Sequence, residues 1–148
     1  MRKMHRADRM LSENEAWEIL QKGEYGILAT AGSDGQPYGV PLSYFVKDRC
    51  IYFHGTSDGG SKIDNIQNNT KVSFTVVGNT KVLPDKFGTL YESVIVFGEA
   101  SIVEDQEERM TAFRGLLGKY CSGYMAEGEE YIKNAGPVTT IIKVTVKS

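Results

Sequence analysis

The chain has 148 residues, 41% of them hydrophobic and 24% charged, which suits one globular domain around a single core and gives no sign of a second domain or an internal repeat. Its 17 basic and 19 acidic residues are interspersed and leave a net charge of -2, which excludes the broad basic field that gathers nucleic acid or anionic membrane. Two distant cysteines, Cys50 and Cys121, exclude a disulfide scaffold or a zinc knuckle, and both are expected as thiols in a cytoplasmic protein.

Residues 1–10, "MRKMHRADRM", are basic but precede no apolar run, so they are read as a flexible arm rather than a signal peptide. No apolar run reaches the roughly 20 residues of a membrane span. A capping box follows, in which Ser12 and Glu15 satisfy each other's backbone N–H groups and start a helix. Ala16, Trp17, Ile19 and Leu20 supply its apolar face, and Gly23 is placed to end it in the left-handed conformation.

From Tyr25 the period becomes strand-like: "YGILATA", the turn "GSDG", "QPYGVPLSYFV", the turn "KDR" and "CIYFH" predict successive antiparallel hairpins. "SKIDNIQNN" has room for one or two helical turns, "KVSFTVVG" returns to strand, and a long polar connection is expected after it. "SVIVFGEASIVED" is a further strand with apolar residues on both faces, which predicts burial on both. Helical spacing returns in "QEERMTAFRGLLGKY" and more weakly in "AEGEEYIKNAG", before a last strand "VTTIIKVTVK". Many antiparallel strands with a few short helices predict a mainly β fold, a closed or nearly closed barrel with Greek-key-like connections, because closure removes exposed edges.

One stretch concentrates anion-binding chemistry. In "YFHGTSDGGSKIDNI", Gly55, Gly59 and Gly60 can turn backbone N–H groups toward a ligand, a helix start adds partial positive charge, and Lys62 adds a full one. Ser61, with Asp64 three residues on, equally suits a plain helix cap. The Walker pattern fails, since Ser61 separates Gly60 from Lys62 and the hairpins argue against a parallel sheet. His54 shares a strand face with Tyr52 and Cys50, opposite Ile51 and Phe53; it is either a hydrogen-bonded structural residue or a group able to move protons near neutral pH. Pro41 interrupts a good strand pattern, as at a sheet edge or where Val40, Leu42 and Ser43 offer backbone groups to a flat ligand. With only His5 and His54, no histidine pair forms a metal motif, and no GxSxG nucleophile is present. Glu104, Asp105, Glu107 and Glu108 read as a solvated helix start favoured by the helix dipole.

In order, "GILATAGSDGQPYGVPLSY", "IYFHGTSDGGSKIDNIQNNTKVSFTVV" and "ESVIVFGEASIVED" resemble the FMN-binding split-barrel superfamily of pyridoxamine 5′-phosphate oxidase-like proteins, and within it the nitroimidazole-resistance branch, over residues 11–118. The resemblance implies a homodimer of split barrels with FMN at the subunit interface. It implies that Val40, Pro41, Leu42 and Ser43 lie along the isoalloxazine, and that His54, Gly55, Ser61 and Lys62 surround the ribityl phosphate. Glu92, Ser93 and Val94 match the strand that the partner chain contributes, and His54 is the implied catalytic residue. The implied activity is electron transfer to a small acceptor such as a nitroimidazole. The alternatives are a flavin carrier or redox sensor without turnover, or the same fold holding deazaflavin F420 or haem. The chain ends "TTIIKVTVKS", without the arginine- and tryptophan-containing motif that grips substrate phosphate in true pyridoxamine 5′-phosphate oxidases, so vitamin B6 oxidation is not expected.

Overall fold

The structure, a computed structural model, describes residues 10–56 and 61–148. The expected N-terminal arm, apart from Met10, lies outside the described residues, as do Gly59 and Gly60 of the expected cradle.

Helix α1 (Glu13–Lys22) starts where the capping box places it, with the Ser12 side chain accepting from the Glu15 N–H and the Glu15 carboxylate accepting from the Ser12 N–H. Its end differs from expectation. Gly23 is extended, with φ -61° and ψ 142°, and glycine is needed there because a Cβ would overlap the Tyr44 hydroxyl and Val76. Close packing, rather than left-handed backbone, selects this residue.

Among the described residues seven strands form one antiparallel sheet: β1 (Gly26–Ala31), β2 (Pro37–Leu42), β3 (Phe45–Lys47), β4 (Cys50–Thr56), β5 (Lys71–Leu83), β6 (Gly88–Ile102) and β7 (Thr139–Val146). Their spatial order is β2-β1-β5-β6-β7-β4-β3. The first and last strands in this order are consecutive in the chain, separated only by Ser43 and Tyr44. A link of two residues forces the sheet to curl until its edges meet, yet no backbone ladder joins β2 to β3 among the described residues. The fold is therefore a split barrel, closed by a covalent step instead of hydrogen bonds.

That step corrects one expectation: "QPYGVPLSYFV" is two strands at opposite ends of the sheet, not one. The β3–β4 hairpin turns as the sequence suggests, with Asp48 and Arg49 both at positive φ (52° and 61°), the geometry of a two-residue primed turn. The expected long polar connection after "KVSFTVVG" is also corrected. It forms the outer arms of a β5–β6 hairpin, paired from Thr80↔Tyr91 to Leu83↔Gly88 beyond an irregularity after Val77.

Two apolar clusters result. Inside the barrel, Leu28, Ile51, Phe53, Phe74, Val76, Ile142 and Val144 are fully buried, with Leu20 of α1 closing one end. Outside β4, helices α3 (Gln106–Tyr120) and α4 (Met125–Ala135) cover Cys50, Tyr52 and Ile141 with Ala112, Phe113 and Ile132. Helix α2 (Ser61–Asn68) buries Ile63 and Ile66 and is tied to β1 by Asn65, whose amide donates to the Thr30 hydroxyl at 3.0 Å. The expectation of burial on both faces of β6 holds for one face only. Val96 and Ala100 are buried inside, whereas Ile95 is 54% and Phe97 40% exposed outside.

Candidate functional site

β4 alternates as predicted. Ile51 and Phe53 point into the barrel, while Cys50, Tyr52 and His54 point outward beneath the helices. Along that outer row the environment opens. Cys50 and Tyr52 are buried, and the Tyr52 hydroxyl donates to Glu108 at 2.7 Å, which is also paired with Lys143 at 2.8 Å. Glu108 is thus not the solvated carboxylate expected at a helix start; two inward donors, Lys143 first, hold its pKa below the ordinary carboxylate value. Asp105 alone caps α3, accepting from the Glu108 N–H at 2.9 Å.

His54, next in the row, is accessible to solvent and lines a cavity. Partial loss of water around the ring lowers its pKa from the ordinary histidine value, and the Lys62 ammonium lowers it further, so the imidazole is neutral at pH 7. Gly55 explains how the lysine reaches it. A Cβ on Gly55 would lie 3.1 Å from Lys62 Cε and 3.4 Å from Nζ, so the missing side chain leaves the space the lysine occupies. Ser61 and Lys62 are the first two residues of α2, and among the described residues no carboxylate is bonded to Lys62. Ser61 stands inside the helix rather than ahead of it as a cap.

The structure thus brings together His54, Gly55, Ser61 and Lys62. Ser43 joins His54 on the cavity wall. Val40, Pro41 and Leu42 lie on β2, the edge strand before the split, with Pro41 exposed and paired with Ile27. Edge placement accounts for Pro41, whose missing N–H costs no ladder bond on the free side. Glu92, Ser93 and Val94 are not part of this cluster. Val94 lies eight positions before Ile102 on β6, roughly 26 Å along the strand from the level where Ile102 pairs with Ile142, next to the residue facing His54.

Sequence reasoning missed the C-terminal end of α3. Lys119 donates to the Tyr44 carbonyl at 3.0 Å and stands 3.6 Å from the centre of the Tyr44 ring. The Tyr120 hydroxyl accepts from the Tyr44 N–H at 2.9 Å and donates to the Glu24 carbonyl at 2.6 Å. Tyr44 is fully buried, and its own hydroxyl donates to the Leu20 carbonyl at the end of α1. One residue of the split is therefore pinned by two helices, which fixes Ser43 beside it. Burial brings the Lys119 pKa down to about 8. A lysine-tyrosine pair closing a helix was visible in "GKY", but its target lies 75 residues earlier.

The cavity itself, about 510 Å³, is walled by β4, the Ser43 step and the α3–α4 pair. Another hollow of about 620 Å³ lies between α3 and α4, but none of the expected site residues lines it. Two of its charged groups are engaged, Arg109 on the Thr139 and Gly136 carbonyls and Glu129 on Arg114. The chemistry concentrates at the first cavity.

Among the described residues no helix is long and apolar enough to cross a membrane. No curated protein matches the chain at a significant level. Solved structures share its fold. One is a putative 5-nitroimidazole antibiotic resistance protein from Bacteroides thetaiotaomicron, at 21% identity and TM-score 0.78, covering 94% of this chain and 82% of that one. An FAD-binding protein from Mesorhizobium loti matches at 22% identity and TM-score 0.65, covering 93% and 91%. A haem storage protein from Vibrio cholerae matches at 16% and 0.68, covering 94% and 92%. At these identities the likeness establishes the fold alone. The family model described as pyridoxamine 5′-phosphate oxidase matches residues 12–147, nearly the whole split barrel, and the chain belongs to that family.

Proposed function

We propose that the protein is an FMN-binding oxidoreductase that passes electrons from a reduced donor to a small acceptor such as a nitroaromatic. The observation that carries this reading is the Lys62 ammonium seated over Gly55, at the start of α2 and beside His54. A helix start, an ammonium with no carboxylate partner among the described residues and a side-chain-free strand residue together suit a phosphate monoester, and so fit the ribityl phosphate. Bound FMN would supply the redox chemistry. The chain's own residues then bind and orient: Lys62 and the α2 N-terminus hold the phosphate, the pinned Ser43 step faces the ring, and neutral His54 supplies or takes a proton at its imidazole. The FAD-binding and nitroimidazole-resistance proteins of the same fold support a flavin and an acceptor of this class.

The reading includes a homodimer. Pro41, Ile27, Thr75 and Ile95 occupy one outer row through the pairings Ile27↔Pro41, Ile27↔Thr75 and Thr75↔Ile95, and Ser93 flanks that row. Two copies related by a twofold axis on this face would bring Ser93 of one to the edge strand of the other. Such an arrangement accounts for the distance of Glu92–Val94 from Lys62 within one chain.

Lys62→Ala removes a charge-assisted contact worth about 1.5–3 kcal/mol, so FMN affinity falls at least about tenfold in a flavin fluorescence titration. Unchanged affinity in a folded variant removes the cradle. Photoreduced protein mixed with a nitroimidazole regains its oxidised flavin spectrum if the chain is an enzyme. Persistence of the reduced spectrum favours a carrier or sensor, and a Soret band in the purified protein favours haem, the ligand of the Vibrio cholerae relative.

A further inference from the structure

We infer that the cavity between β4 and the α3–α4 pair is the acceptor site, and that it selects flat aromatic molecules without negative charge. This deepens the proposed function, since the electron acceptor is the occupant. The floor is apolar, made by Phe113, Leu116 and Leu117. Tyr124 and Tyr131, 68% and 65% exposed, line the cavity at its solvent side. His54 is the polar group on the strand side. A volume of about 510 Å³ is within the range of small-molecule sites, and a planar ring matches an aromatic rim through offset or edge-on packing.

Charge decides the class of ligand. Among the described lining residues Glu127 is the one carboxylate, and none is lysine or arginine. The nearest ammonium of the cradle, Lys62, is engaged by the cofactor phosphate in the proposed function. Lys119, behind the wall, is spent on the Tyr44 carbonyl and ring. An anionic ring entering the cavity therefore meets a like charge and no compensating donor of full charge, while a neutral ring meets neither penalty. Selectivity against carboxylated aromatics follows from Glu127 rather than from shape.

The test uses two probes of the same shape, 4-nitrobenzyl alcohol and 4-nitrobenzoate, titrated calorimetrically into the full chain with and without FMN. Glu127 is exposed, so the alcohol is expected to bind about two- to fivefold more tightly than the carboxylate, and Glu127→Gln to remove that difference. Cys121→Trp, which places a bulky ring into the cavity from an exposed position, is expected to abolish binding of the alcohol. Tyr124→Ala, at an exposed rim position, weakens it without depending on a larger side chain being accommodated. Equal binding of both probes, or binding that survives both Cys121→Trp and Tyr124→Ala, overturns the inference. Alcohol binding by a chain that does not take FMN would remove the functional reading and the acceptor role, and keep only the cavity's choice of neutral flat rings. FMN binding without alcohol binding would do the reverse.

Discussion

β4 and β6 share the barrel interior equally but meet different surroundings outside it. The outer row of β4 lies under α3 and α4, and its polar groups have partners: Tyr52 on Glu108, Glu108 on Lys143. The outer row of β6 carries Ile95 and Phe97 with Val77 of β5 beside them, all at least 40% exposed. A covered face can hold a partly buried charge network and a shaped cavity, because helices complete its hydrogen bonds. A bare apolar face in the middle of a sheet is the kind of surface on which another subunit can dock. The chain thus supplies its own cover where the cavity forms, and leaves uncovered the face on which the proposed dimer is built.

The same substitution on the two sides separates these roles most strongly. Phe53→Ala empties the barrel centre, where Phe53 packs edge-on against Phe74 at 5.0 Å, and should cost about 3–5 kcal/mol in urea unfolding. Phe97→Ala removes a half-exposed ring and should cost a small fraction of that at concentrations where the chain is monomeric. If Phe97→Ala destabilises a monomer as much as Phe53→Ala does, the outer face of β6 is core and the comparison fails.

Next in size is the assembly itself. Ile95→Glu places a charge on the bare face without touching the barrel interior, and should shift sedimentation equilibrium from dimer to monomer by at least about a hundredfold in dissociation constant. Monomer stability should change by no more than about 0.5 kcal/mol. A dimer that survives this substitution must use a different face.

Much of this contrast was legible along the chain, and what was not has physical reasons. Alternation in "CIYFH" separated Ile51 and Phe53 from Cys50, Tyr52 and His54, because a strand's period is fixed by its backbone. The capping box and the limits of α3 were legible because both are local. The break at Ser43–Tyr44 was not, since a single serine inside an apolar run is a weak turn signal and the division is imposed by Tyr44 anchoring to Leu20 and Tyr120, 24 and 76 residues away. The arms of the β5–β6 hairpin were hidden for a related reason: Thr80, Lys81, Val82 and Leu83 mix polar and apolar residues and pair with β6 away from the core, where even Val82 is 68% exposed. Apolar residues on both faces of β6 were read as burial, although the same pattern occurs here with Ile95 and Phe97 exposed, on the face of the proposed dimer. The cradle was legible as far as Gly55 and Lys62, but the cavity was not, because its wall and rim come from a helix pair that follows His54 by more than 50 residues.

The helical cover can be tested at its closest approach. A Cβ on Gly115 of α3 would overlap the Phe45 ring, so α3 lies on β3 with no room for a methyl group. Alanine would ordinarily gain about 1 kcal/mol in a helix interior over glycine. Gly115→Ala should nevertheless destabilise, by about 1–2 kcal/mol net, as overpacking outweighs propensity. A stabilised variant would mean that the helices rest loosely on the barrel, and that the cavity between them is not a fixed shape.

The smallest effect is electrostatic and bears on the open end of the covered row. His54 titrates below the ordinary histidine value, so between its folded pKa and about 6.5 the unfolded chain holds a proton that the folded chain lacks. Stability therefore falls as pH drops through that window and levels off below the folded pKa. Burial is the larger cause and Lys62 the smaller, so Lys62→Met should raise the His54 pKa part of the way and narrow the window. With only two histidines in the chain, the His54 ring protons can be followed directly by NMR. Inorganic phosphate should act in the same direction as the substitution, because an anion bound at Lys62 offsets the charge felt by the imidazole. A His54 titration indifferent to both would separate the lysine from the histidine, and leave the covered face of β4 with a cavity but no cradle beside it.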